Sequence, residues 1–399
     1  MQIAILAAGF SPGEADRLRR SMAAWKRKGG LSHFYQKLIE GMLARGYERD
    51  FAERIFKQIE GFAEYGFPES HAASFALLVY VSCWLKRHEP AAFLAAMLNS
   101  QPMGFYAPAQ LVRDAREHGI EVRPVDVLAS DWDCTLEETT TGAADVVDGV
   151  DYRAQPAVRL GLNSVRGLQE VAGRRVVAAC RDAGGSQRPV VRSVETLAIA
   201  ADLDRHALQL LARAGALQRL AGHRSQAAWE AAGVHRLPGV LAQSPFDETP
   251  VDLPAPSEGE ETVADYQSLG IPMGRHPLAI LRERLARYGV EPAAVLKGYP
   301  DGRAARASGL VTHRQRPETA KGVIFVTLED DTGAVNVIIW PDVLERDRRA
   351  VLGATLMTVY GKWQRDVHTG GKVMNLVAGR VVDHSALLGK LKTTSRDFR

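Results

Sequence analysis

Over residues 323–339 apolar and polar side chains alternate. Val323, Phe325 and Thr327 interleave with Ile324, Val326 and Leu328, and Val335, Val337 and Ile339 resume the same period beyond Asp330, Asp331 and Gly333. A period of two on either side of turn-forming residues predicts a β-hairpin. Further strands are predicted over 307–311, 355–363 and 372–382, the last two parted by Thr369-Gly370-Gly371, with a helical patch at 343–351 ahead of the fourth strand. Five short strands in that order describe a small closed barrel of the OB type.

Ahead of the barrel the period lengthens to that of helices. Ser11-Pro12-Gly13-Glu14 carries an N-cap acceptor, a first-turn proline and a glutamate three residues on, and Leu18, Met22 and Trp25 then share a face. Helices are predicted over 32–45, stopped by Gly46, and 48–65, where Phe51, Ile55, Ile59 and Phe62 form a stripe read as core. The apolar run 72–85 is shorter than the roughly 20 residues that span a bilayer and is predicted to be a buried helix. Helices at 90–98 and 110–119 lead to a short strand at 120–122, and 139–154 reads as a loop or hairpin insertion. Asp126, Asp131 and Asp133 fit turn-capping better than a metal set. Helical pairs follow at 170–181, 193–201, 204–214 with Gly215 as its stop, and 225–232. Prolines 245, 250, 254 and 256 then mark an exposed linker over 239–261, and another helix runs to Tyr288. The predicted class is α+β and multidomain, mainly helical and ending in the barrel.

Composition changes little in that picture. The 399 residues are 46% hydrophobic and 24% charged, an ordinary balance for buried cores, and a net charge of +3 argues for no anionic partner by itself. Cys83, Cys134 and Cys180 lack any CxxC or Cys/His spacing, so neither zinc nor a disulfide framework is predicted and a reducing cytoplasm is expected. Met1 to Phe10 has no basic leader or cleavage site, so no signal peptide and no membrane partner are expected. The informative charge is local. Arg306, His313, Arg314, Arg316, Lys321, Lys362, Arg365 and Lys372 gather at the strand ends and loops of the barrel, with Phe325, Trp340, Tyr360 and Trp363 among them. Cations track phosphates and rings stack on bases, while the same rings could equally fill the barrel. From this cluster Arg314, Arg316, Lys321, Phe325, Lys362 and Trp363 are the candidate DNA contacts.

The segment GLVTHRQRPETAKGVIFVTLEDDTGAVNVIIWP, residues 309–341, closely resembles the OB region of bacterial C-family DNA polymerases, above all the error-prone, damage-inducible relatives of the polymerase III α subunit. Ser395-Arg396-Asp397-Phe398-Arg399 is similar to the usual terminus of that branch. Asp16-Arg17-Leu18-Arg19-Arg20-Ser21-Met22 resembles a fingers segment in which paired arginines meet the triphosphate, which gives Arg19 and Arg20 a nucleotide-binding role. Gly66-Phe67-Pro68-Glu69-Ser70-His71 resembles a second fingers motif beside the nascent base pair and makes Ser70 and His71 nucleotide contacts. Leu160 to Gln169 and the helix after it look like a helix-hairpin-helix, in which Arg166 and Gly167 belong to the turn that grips a DNA phosphate. The usual second hairpin glycine is Gln169 here.

The resemblance divides the chain into fingers (1–125), a helix-hairpin-helix region (126–238), a linker and helix (239–300), the OB-fold (301–385) and a tail (386–399). It implies primer-template and single-stranded DNA, a dNTP, and accessory mutagenesis proteins as partners. Through those proteins it implies the sliding clamp, because His235-Arg236-Leu237-Pro238-Gly239-Val240-Leu241 lacks the glutamine and aromatic anchor of a direct clamp peptide. Polymerisation needs carboxylates that hold two Mg2+ ions, and no such palm motif is visible; Glu329-Asp330-Asp331 is read as turn chemistry. The chain is therefore expected to hold DNA without extending it, with no cofactor of its own and Mg2+ in the intact polymerase. Two other readings are a replicative α-subunit portion and a stand-alone single-strand-binding accessory protein.

Overall fold

The computed structural model of the chain describes residues 2–23, 32–65, 69–103, 106–139, 146–147, 150–151, 155–181, 191–234, 251–317, 320–366, 369–393 and 395–398. They form two units, 1–88 and 89–399.

The first unit holds α1 (Gln2–Leu6), α2 (Pro12–Ala23), α3 (Ser32–Leu43), α4 (Arg49–Tyr65) and α5 (Glu69–His88). The predicted capping box opens α2: the Ser11 amide donates to Glu14 Oε2 at 2.9 Å and the Glu14 amide to Ser11 Oγ at 3.3 Å. Phe10, Leu18, Leu38, Met42, Ala52 and Phe56 make the core. The face that α4 buries is therefore centred on Ala52 and Phe56, with Ile55 and Ile59 at its margin. Phe51 lies outside it, its ring stacked on Tyr47 at 5.8 Å, and Phe62 is outside the described side chains. The predicted stripe is one residue off because the small Ala52, not Phe51, is the fully buried position in that turn. A larger correction concerns α5. It is a helix, but its described side chains, Phe75, Leu78, Tyr80 and Trp84 among them, are exposed. An all-round apolar helix is buried only when something covers every side. Among the described residues nothing does so here.

The second unit begins with α6 (Pro90–Asn99) and α7 (Pro108–Glu117), packed beside a small sheet of β1 (Val122–Arg123), β2 (Thr135–Glu137) and β5 (Ala157–Arg159). The hairpin β3 (Val146–Val147) and β4 (Val150–Asp151) stands within the predicted insertion. β5 is central, parallel to β1 and antiparallel to β2, and Glu137 accepts hydrogen bonds from Arg123 at 2.6 Å and Arg159 at 2.9 Å. Then come α8 (Glu170–Arg181), α9 (Val194–Ala200), α10 (Arg205–Arg213), α11 (Gln218–Ala221) and α12 (Arg224–Gly233), around Leu160, Leu162, Val176, Leu197, Leu208 and Leu211. Asp204 caps α10 through the Ala207 amide, and Gly215 at φ +74° ends the turn after it. Asp126, Asp131 and Asp133 each serve the fold, holding the Leu128 amide and Arg219, Arg181, and Asn163 respectively.

Three further helices, α13 (Glu258–Ser268), α14 (Pro277–Ala286) and α15 (Ala293–Leu296), carry the chain to the barrel strands β6 (Ala304–Gln315), β7 (Ile324–Asp330) and β8 (Gly333–Ile339). Short helices α16 (Pro341–Arg346) and α17 (Arg348–Gly353) precede β9 (Leu356–Arg365) and β10 (Met374–Asp383), and β11 (Arg396–Phe398) runs parallel to the end of β6. The order β6-β7-β8-β10-β9 closes through β6–β9 pairing, with β8 and β10 parallel. This is the five-stranded OB barrel that the strand order predicts. β6 is longer than the predicted 307–311 because its first half pairs with β9 and its second with β7. The crossing occurs near Gly309, where a Cβ would stand 2.7 Å from the Glu329 amide nitrogen. No described helix is long and apolar enough to cross a membrane.

Candidate functional site

In a closed barrel each cross-strand row faces wholly in or wholly out. One row runs Arg314, Val326, Val337, Leu376, Trp363, each paired with the next, and all five are buried. The adjacent row runs Gln315, Phe325, Ile338, Val377, Lys362, Ala304 and faces outward. Two candidates thus fall on each row.

Trp363 is 2% exposed and fills the barrel, so it presents no ring to a base. Arg314 is 8% exposed. Its Nε donates to the Val351 carbonyl at 2.9 Å, its Nη2 to that of Ala354, and its Nη1 to Ser395 Oγ at 2.5 Å, with Asp397 at 3.6 Å. The guanidinium serves carbonyls that the end of α17 leaves unsatisfied. Burial pulls its pKa down, although an arginine there stays charged. Neither residue is available to a nucleic acid.

On the outward row Phe325 is 38% exposed and Lys362 is exposed. Phe325 pairs with Ile338 on this face, and at the next outward pair Thr327 Oγ1 meets Asn336 Oδ1 at 3.2 Å. That pair escaped the sequence reading, yet the tight tip Asp331-Thr332 fixes it by counting back from Asp330 opposite Gly333. Arg316 and Lys321 are exposed on the connection into β7, where Lys321 and Gly322 both take left-handed φ, +48° and +88°. The set on this side is therefore a ring, two polar groups of which Thr327 is half-buried, and the cations Arg316 and Lys321, with Lys362 further along the outward row.

The hairpin turn ahead of α8 puts Gly167 at φ +83°, a conformation that costs glycine little. Arg166 is exposed and tied to a neighbouring helix: its amide donates to the Ser268 carbonyl at 2.8 Å and its Nη1 to that of Tyr266 at 3.0 Å, at the end of α13. Arg166 and Gly167 share one turn, but the side chain ties that turn to α13. Arg174, Arg175 and Arg181 on α8 are paired with Glu170, Asp202 and Asp131. Arg19 and Arg20 fall within α2, and Ser70 and His71 within α5; their side chains are outside the described residues, as are residues 235–241.

Comparison with known proteins gives three family matches: bacterial DNA polymerase III alpha subunit finger domain over residues 1–46, helix-hairpin-helix motif over 119–227, and OB-fold nucleic acid binding domain over 306–383. The error-prone DNA polymerase of Aromatoleum aromaticum is 54% identical over 402 residues, covering all of this chain and 36% of that protein. Its counterpart in Bordetella parapertussis is 55% identical over 404 residues, again all of this chain and 36% of that protein. That of Alkalilimnicola ehrlichii is 54% identical over 398 residues, all of this chain and 37% of that protein. This chain belongs to the error-prone DNA polymerase family. It spans little more than a third of the length of the curated relatives it matches.

The acidic string at the β7–β8 tip does more than turn. Asp330 Oδ1 accepts from the Thr332 amide at 2.7 Å, the turn chemistry the sequence predicts, but its Oδ2 accepts from the Ala293 amide at 2.8 Å at the start of α15. Arg282 of α14 reaches Asp330 and Asp331, while Glu329 meets Arg113 of α7 at 2.7 Å and His276 at 3.6 Å. Burial and the Glu329 charge push the neighbouring Tyr266 hydroxyl above its usual range. The string fastens the barrel to the helical region. Its spacing in sequence, more than 200 residues from Arg113, gave no sign of that.

Proposed function

We propose that this chain supplies the DNA-holding part of an error-prone DNA polymerase, with single-stranded DNA on the outward β7–β8 face and duplex phosphate at the Arg166-Gly167 turn. In the intact polymerase the reaction is templated transfer of nucleotides from dNTPs during damage-induced synthesis across lesions. Identity of 54–55% to error-prone polymerases across the whole chain carries this reading. Phe325 offers a base a stacking surface, Arg316 and Lys321 offer phosphate charge, Thr327 and Asn336 lie beyond Phe325 along the two strands, and Lys362 adds charge further round the barrel. Arg19, Arg20, Ser70 and His71 are proposed to meet the incoming nucleotide. Accessory mutagenesis proteins are proposed to bring the assembly to the sliding clamp.

The Mg2+ ions of polymerisation do not fit the acidic residues described in this chain. Glu329, Asp330 and Asp331 are taken by Arg113, Arg282 and the Ala293 amide, and among the described residues no three His, Cys, Asp or Glu side chains group to hold a metal. Extension of a primer is accordingly assigned to other parts of the polymerase.

Fluorescence anisotropy with labelled single-stranded DNA tests the binding. Arg316→Ala with Lys321→Asn, the asparagine chosen because it tolerates the left-handed backbone, should weaken binding and reduce the salt slope by about 0.7 for each phosphate that is no longer neutralised. Unchanged titrations would remove this face from the interaction. Primer extension by the 399-residue chain with Mg2+ should be absent, and robust synthesis would overturn the division of labour.

A further inference from the structure

The cations of the barrel divide by whether the fold uses them. Arg314 serves the end of α17, Arg282 the hairpin tip, and Arg365 the carbonyls of Lys297, Tyr299 and Gly371. Three others surround one ring, and of these side chains Arg306 alone is hydrogen-bonded to the fold among the described residues, by one long bond to a carbonyl. Arg306 on β6 pairs in register with Tyr360 on β9, which pairs with Arg380 on β10, and Lys362 is two residues along β9 on the same outward face. Arg306 Cζ lies 5.5 Å from the Tyr360 ring centroid. Arg306, Lys362 and Arg380 are exposed, and none has a carboxylate at ion-pair distance among the described residues. Asp347 feels the charge of Arg380 but is already held by Arg346 at 2.8 Å and by the Val381 amide at 2.8 Å. A β-bulge at Gly379, between Ala378 and Arg380, turns Arg380 outward. Arg306 also donates at 3.3 Å to the carbonyl of Tyr288, whose exposed ring packs against His384 at 4.4 Å.

We infer that this β6–β9–β10 face is a second seat for single-stranded DNA, separate from the β7–β8 face, with a base on Tyr360 and the flanking phosphates on Arg306, Arg380 and Lys362. The inference rests on the single-strand binding proposed above and extends it. Lys362 stands on the same outward row as Phe325, three strands away through Ile338 and Val377, a separation of about 14 Å at the usual strand spacing. One strand can therefore cross the barrel from Phe325 to Tyr360. The ring set between cations is what selects nucleic acid over an acidic peptide, since a carboxylate chain gains nothing from a stacking surface.

A labelled oligothymidylate of about 20 nucleotides is longer than the span of a single OB surface. Tyr360→Ala combined with Arg380→Ala should weaken its binding by about fivefold or more. Tyr360→Phe, which keeps the stacking ring, should bind as the unaltered chain does. Photocrosslinking with iodouracil-substituted long oligomers should label both Phe325 and Tyr360. A double variant that binds the oligomer as tightly as the unaltered chain does, with crosslinks at Phe325 alone, would overturn the second seat while leaving the first intact. If polyglutamate competes for Tyr360 as well as the oligomer does, the seat is for acidic peptide and the inference fails. Loss of all oligomer binding in the unaltered chain would instead sink the single-strand reading itself.

Discussion

Arg314 and Trp363 sit on one inward-facing row of the barrel, joined through Val326, Val337 and Leu376. Their outward neighbours in the next row, Gln315 on β6 and Lys362 on β9, face solvent. A shift of one residue along either strand therefore separates a core position from a binding position.

Trp363 and Phe325 should accordingly respond in opposite ways. Trp363→Ala empties the barrel and is expected to cost about 3–5 kcal/mol in a denaturant titration. Phe325→Ala should cost under about 1 kcal/mol of stability, as a partly exposed position does, while lowering single-strand affinity by about 1–3 kcal/mol through weaker stacking.

Arg314→Met keeps much of the side-chain volume but leaves the Val351 and Ala354 carbonyls without their donor. Each stranded buried carbonyl costs about 1–3 kcal/mol, so a clear loss of stability is expected. The folded fraction should bind single-stranded DNA as the unaltered chain does, which anisotropy at a temperature well below the transition checks.

The Arg113–Glu329 pair links α7 to the β7–β8 tip across the second unit. A double-mutant cycle with Arg113→Met and Glu329→Gln should show a coupling of about 1 kcal/mol, held to that level because the arginine is about a third exposed to solvent. Additive effects within experimental error would mean that the barrel is held by the Asp330 contacts alone.

Glu137 gives a dependence on pH. Hydrogen bonds from Arg159 and then Arg123 hold its carboxyl below the usual range against the opposing effect of burial. A carboxylate with a lowered folded pKa contributes stability that is fully present above the unfolded value, about 4.3, and is lost as pH falls through the folded value. The difference in melting temperature between the unaltered chain and Glu137→Gln should be present near neutrality and shrink as pH falls below about 4. A difference that stays constant would assign the effect of the substitution to packing instead.

Much of this fold is written in local pattern. The capping box at Ser11, the stop at Gly215, helix α8 and the β7–β8 hairpin all follow from spacing, because each depends on neighbours within a few residues. Trp363 was legible too: the period of two that puts Val359 inside puts Trp363 there as well. Arg314 was not. Between Val311 opposite Leu328 and His313 opposite Thr327, Thr312 has no partner in β7, and this bulge flips the parity of everything after it. Without it Arg314 would have followed Ala304 and Arg306 to the outside. The same limit applies to Arg166 and Glu329, whose partners are about 100 residues or more away and leave no mark on their own segment. A cation can be found in a sequence, but whether the fold engages it is decided by distant carbonyls and carboxylates.

The solvent-facing apolar surface of α5 governs how this polypeptide behaves in a test tube. Residues such as Leu78, Tyr80 and Trp84 on a single rod give copies of the molecule something to adhere to. Clumping and retention on hydrophobic resin are therefore expected to fall when the rod's outermost apolar side chains are swapped for serine.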